Sequence, residues 1–241
     1  MKNRRLFQRF LPILLLLYCS DACAQVDVTA TVGFAASGKK SKKLDASNIV
    51  LWLTPLDGSL QPPAHATPVH PRLVQKNKSF EPHILVVPVG TQVEFPNRDP
   101  FFHNVFSLFE GKRFDLGLYE AGSTRDVLFD KPGISYIFCN IHAEMSAVVI
   151  ALTTPYYGVA DRAGRVTLPR VPPGRYTLHV WYETAQPEAL NALTREVVVG
   201  SDAPTLGAIH LPAPGVVPPH KNMYGHDYPP PTPDQSVYAK P

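Results

Sequence analysis

The chain has 241 residues, 44% hydrophobic and 18% charged, with 26 prolines and a formal net charge of +3. Four of its basic residues, Lys2, Arg4, Arg5 and Arg9, precede an apolar run from Leu11 to Tyr18 and the small-residue site Ala22-Cys23-Ala24. That is the layout of a secretory signal peptide over 1–24, cleaved after Ala24. Its loss, which also removes Asp21, takes the formal charge to 0. A neutral chain is not built to neutralise phosphates, which argues against nucleic acid. No stretch reaches the roughly 18 apolar residues of a membrane span.

Residues 26–36 (VDVTATVGFAA) and 48–54 (NIVLWLT) read as two strands, joined by the polar link SGKKSKKLDAS and followed by the turn LDGS. The strand pair 26–58 lacks a core of its own. A Pro/His-rich connector, PPAHATPVHPR, leads into a regular block over 70–152. Its segments HILVVPVG, TQVEF, KRFDLGLY, TRDVLF, ISYIFC and SAVVIAL are short and separated by turns. None carries helical periodicity, so the block reads as an antiparallel sandwich with short connections.

A second pattern occupies 153–200: the turn DRAG, strands RVTL and RYTLHVW joined by VPPG, a polar interval, and REVVV. Three or four strands make a thin core. The economical layout pairs them with 26–58 into one small sandwich, with 70–152 inserted between. The competing layout gives 26–58 to the central sandwich. Residues 204–241 hold PAPGVVPPH and YPPPTPDQ, which cannot form interior strands or helices. They read as an extended Pro-rich tail laid over the body, with His210, His220 and His226 as solvated polar residues.

Cleavage of the signal removes Cys19 and Cys23 and leaves Cys139 as the only cysteine. It cannot form an internal disulfide, so it is either a buried inert thiol or held by something. It opens the segment CNIHAEM, which places a thiol (Cys139), an imidazole (His142) and a thioether (Met145) within one turn between two strands. Those three alone leave copper, zinc and coincidence open. A fourth donor should come from another strand connection. His103, in NRDPFFHNVFSL, fits: Asn97 to Pro100 is a turn signal and a strand starts at Val105. A thiolate, two imidazoles and a weak axial thioether make a type 1 copper set. Glu144 reads as an exposed acid pointing away, His83 as a surface histidine at a strand start, and His179 as structural or surface.

On these residues the 70–152 block resembles the cupredoxins of the plastocyanin/azurin superfamily. C-x2-H-x2-M is similar to the short ligand loop of amicyanin. The resemblance implies a Greek-key sandwich, one type 1 copper ion on His103, Cys139, His142 and Met145, and Asn104 tying the two ligand loops together near the thiolate. GRVTLPRVPPGRYTLHVW, together with IVLWLTP, resembles the carboxypeptidase regulatory-like or transthyretin-like β domain. The combination is similar to bacterial secreted proteins labelled methylamine utilisation proteins.

The expected fold class is therefore all-β: a Greek-key cupredoxin sandwich plus a small β-sandwich module and a Pro-rich C-terminal tail. The expected function is periplasmic transfer of single electrons to and from a redox protein partner. Contact would be transient and apolar, through Phe101, Phe102, Ile141 and Ala143 around His142. With every metal position filled by protein, no enzyme activity is expected. The alternative is copper binding and carriage, or a cell-envelope binding module without a redox role.

Overall fold

A computed structural model of the chain describes residues 25–35, 45–58, 70–108, 110–202, 204–217 and 219–229. The expected signal peptide, residues 36–44 of the polar link, the stretch 59–69 with most of the connector, and the end of the tail lie outside them. Among the described residues the secondary structure is strand, apart from one seven-residue helix. No helix there is long and apolar enough to cross a membrane.

The chain starts with β1 (Val26–Phe34) and β2 (Val50–Pro55), whose partners lie far along the sequence. After the central block come β12 (Tyr157–Val159), β13 (Arg165–Val171), β14 (Gly174–Trp181), α1 (Pro187–Leu193), β15 (Arg195–Val199) and β16 (Thr205–Leu211). One sheet has the order β13-β1-β16 and the other β12-β2-β14-β15. Alternate residues face inward from both: Val28, Ala30 and Val32 from β1 meet Leu51, Leu53, Leu178 and Val180. The N-terminal pair and the strands beyond residue 153 thus bury one shared core. DRAG turns the chain as expected: Asp161 Oδ1 accepts the N–H groups of Ala163 (2.8 Å) and Arg165 (2.9 Å). At Gly164, φ is +81° and a Cβ would lie 2.0 Å from the Val32 carbonyl oxygen, so only glycine fits.

The expected tail needs correcting at its start. Residues 205–211 form β16, parallel to β1, with Ile209 and Leu211 buried in the shared core. The prolines that suggested a tail flank this strand rather than interrupt it.

The inserted block contains β3 (Val74–Lys76), β4 (Ser79–Glu81), β5 (Ile84–Pro88), β6 (Thr91–Pro96), β7 (His103–Ser107), β8 (Phe114–Tyr119), β9 (Thr124–Phe129), β10 (Gly133–Cys139) and β11 (Ser146–Leu152). A five-stranded sheet, β5-β11-β10-β7-β8, packs over the β6-β9 and β3-β4 pairs around Phe95, Phe129, Val105, Ile137 and Val149. Each such large apolar side chain stabilises the fold by about 1.5–3 kcal/mol on burial. The result is an all-β, cupredoxin-like sandwich. It is mixed rather than wholly antiparallel, because β5 runs parallel to β11.

SAVVIAL lacks polar alternation for a reason. Ala147, Val149 and Ala151 face the core just described, whereas Val148, Ile150 and Leu152 face Val50 and Trp181 of the other sandwich. A strand buried on both sides needs no polar face. His83, expected at the surface, is instead part of this junction. Its Nε2 lies 2.6 Å from Glu183 Oε2 and its Nδ1 3.1 Å from the Ser146 carbonyl oxygen. The Glu183 carboxylate raises its pKa against the opposing effect of burial. His179 stacks on Trp52 at 4.9 Å, in a structural role.

Candidate metal centre

His103 is the first residue of β7, paired across to Tyr119 of β8, and not part of the preceding turn. Strand placement fixes its backbone, and its side chain is fully buried. Its Nε2 meets Asp99 Oδ2 at 2.9 Å. An imidazole held to a carboxylate at one nitrogen carries its proton there and turns a lone pair outward at the other.

Asp99 is itself built in. The β3–β4 hairpin turns through Asn77 and Lys78, both at positive φ (54° and 52°), as a two-residue turn between strands demands. That turn aims two successive N–H groups at the Asp99 carboxylate, Asn77 at 2.6 Å and Lys78 at 2.9 Å. Asn97 closes the loop by accepting the Asp99 N–H (3.0 Å) and donating to the Phe101 carbonyl (2.8 Å). Burial pushes the Asp99 carboxyl up, but the Lys78 N–H, His103 and the Asn77 N–H outweigh it, and its pKa lies below the ordinary value. The sequence reading took NRDP as a turn and missed this role. The available signal was an Asp four residues before a candidate His.

Cys139 ends β10 with its side chain on the core face. The next residues form a tight loop: the Met145 N–H donates to the His142 carbonyl (3.1 Å) and the Cys139 N–H to the Met145 carbonyl (3.2 Å). His142 is thereby folded back over Cys139. The Cys139 Sγ lies 3.6 Å from His103 Nδ1 and 3.5 Å from His142 Nδ1, and the three atoms lie within 4.8 Å of one another. These separations suit neighbouring donors on one ion bonded at roughly 2.0–2.3 Å. All three side chains are buried.

Burial sets the electrostatics. It lowers His142 to about 4, helped by the neighbouring His103, and lowers His103 against the pull of Asp99. Burial also raises the Cys139 thiol, partly offset by the N–H groups of Ile141, Asn104 and His142. The protein alone therefore presents two neutral imidazoles and a neutral thiol.

Met145 is fully buried and belongs to the same core cluster as Cys139. Asn104 ties the ligand segments together through its backbone, accepting the Asn140 N–H at 3.1 Å. Its side chain turns away, with Nδ2 donating to Asp115 Oδ1 at 2.7 Å. Phe101 packs against both imidazoles, with ring centroids 5.3 Å from His103 and 5.5 Å from His142. Phe102 is 40% and Ile141 38% exposed, and Ala143 and Glu144 are also at the surface. Of the tail histidines, His210 and His226 are exposed, but His220 is not the solvated residue expected. It is partly buried and stacks on Phe138 at 4.1 Å.

No protein-family model and no curated protein matches the chain. Solved structures with a similar fold include a Cu-containing nitrite reductase from Thermus scotoductus. It is 27% identical over 38% of this chain and 25% of its own, with a TM-score of 0.34. A purple cupredoxin from Nitrosopumilus maritimus is 22% identical over 34% of this chain and 99% of its own, with a TM-score of 0.31. A reduced mutant of amicyanin is 20% identical over 34% and 80%, with a TM-score of 0.32. The chain thus spans about a quarter of the nitrite reductase it resembles.

Proposed function

We propose that this is an exported type 1 copper protein that passes single electrons to and from protein partners. The observation that supports this reading most is the donor set itself: one thiol and two imidazole Nδ1 atoms, all buried, with the sulfur 3.5–3.6 Å from each nitrogen. Thiolate with two imidazoles and a weak thioether is the set that suits copper in both oxidation states. Copper held there would supply one-electron chemistry between Cu(I) and Cu(II).

The chain's own residues do the rest. Cys139 would hold the ion as a thiolate, and three backbone N–H groups favour the charge on its sulfur. Asp99 holds His103 in the tautomer that offers Nδ1. The tight loop keeps His142 in place, and Met145, buried in the same cluster as Cys139, would offer a thioether to the ion. Four protein donors would leave no position for a substrate on the ion, which supports a carrier rather than an enzyme. Phe102, Ile141 and Ala143 beside His142 make a small apolar surface suited to brief contact with a redox partner. Residues 1–24 direct export to the periplasm.

The copper-loaded protein is expected to show an intense absorption near about 600 nm and a copper EPR signal with narrow hyperfine splitting. Cys139→Ser abolishes both. An unchanged band in the variant would refute the ligand assignment. A colourless protein that exchanges copper freely would favour carriage.

A further inference from the structure

The segment after β16 does not run free over the surface. Three of its residues reach Phe138, Cys139 and Asn140, where the CNIHAEM loop leaves its strand. The Tyr228 hydroxyl donates to the Cys139 carbonyl at 2.7 Å. The Met223 N–H donates to Asn140 Oδ1 at 2.9 Å. His220 stacks on Phe138, ring centroids 4.1 Å apart and 29° between planes, and its Nδ1 lies 3.2 Å from the Tyr228 hydroxyl.

The peptide between Cys139 and Asn140 decides how the loop leaves its strand. Its N–H is held from the core side by the Asn104 carbonyl. Its C=O is held from the opposite side by Tyr228. Rotation of this one peptide plane would move Ile141 and His142, whose N–H groups point at Sγ. The strap's own turn is closed by Asn222, whose Oδ1 accepts the N–H groups of Tyr224 and His226 at 3.0 Å each. Around these contacts the strap does not pack solidly. It walls a cavity of about 620 Å³ with Phe106, Tyr136 and Phe138 on the sheet side. Its hold on the loop therefore depends on the few contacts named.

We propose that residues 219–228 act as a positioning strap for the metal loop, with Tyr228 and His220 as its positioning residues. The strap fixes the Cys139–Asn140 peptide so that Sγ and His142 keep their mutual placement with or without an ion. Its effect on copper rests on the reading given above, whereas its effect on the thiol does not.

The test uses the full chain with Tyr228→Phe, His220→Ala, the double variant, and Tyr224→Phe as a control on an exposed strap residue. In metal-free protein, the rate of Cys139 modification by a thiol reagent is expected to rise about 3- to 10-fold in each single variant. The double variant rises further and the control stays unchanged. In copper-loaded protein the same variants shift the reduction potential and release copper to a chelator faster, with the melting temperature of the metal-free fold unchanged. Thiol rates within twofold of the parent in all variants would overturn the proposal. If the parent never develops the visible band but the thiol rates still separate, the strap stands and the copper reading falls.

Discussion

The two imidazoles of the site reach the same sulfur by opposite means. His103 arrives on a strand, fully buried, with its far nitrogen fixed by a carboxylate that two hairpin N–H groups hold in turn. His142 arrives on a six-residue excursion between strands, 7% exposed and kept in place by backbone hydrogen bonds within the loop and by the strap outside it. One arm is set by side-chain electrostatics and the other by the path of the chain. On the proposed electron-transfer reading, a centre that keeps its geometry while a partner touches it needs the first arm rigid. The second must be near the surface, yet unable to drift.

That contrast can be broken at the His103 arm. Asp99→Asn keeps the shape but removes the charge that fixes the ring, and copper affinity is expected to fall about 10- to 100-fold. Glu144→Gln, beside His142 but exposed to water, is expected to change affinity less than about threefold, because solvent screens that charge. Chelator competition on both variants measures the difference. Equal losses would mean that the arms are not held differently.

The protonation states sharpen the comparison. Both histidines sit below their ordinary value, His142 at about 4, so both are already neutral at pH 7. The Cys139 thiol is raised and keeps its proton there. Loading at pH 7 should therefore release one proton, from sulfur and none from either ring. Affinity should then rise about tenfold per pH unit through the neutral range. Calorimetry in buffers of different ionisation heat counts the protons. A release near zero would mean that the thiolate already exists in the free protein.

The cluster of His103, Cys139 and His142 was legible because its signal is local: Cys139 and His142 lie in one turn, and His103 borders a recognisable turn and strand. Its support was not. Asp99 looked like one more turn former, since the hairpin N–H groups that give it a role come from 21 and 22 residues upstream. The strap was hidden for the opposite reason. Proline-rich composition says that a segment is extended, but nothing in it says that Tyr228 meets the Cys139 carbonyl. The strand at 205–211 was lost inside the same composition, and the parallel pairing of β5 with β11 depends on topology that alternation does not encode.

The central claim is that one sulfur and two ring nitrogens share a single copper ion. X-ray absorption at the copper edge of the loaded protein measures this directly. The account predicts one short sulfur neighbour and two nitrogen neighbours at about 2.0 Å, with the sulfur lost in Cys139→Ser. A shell of oxygen and nitrogen alone in the parent protein, or a sulfur that survives the substitution, would contradict it.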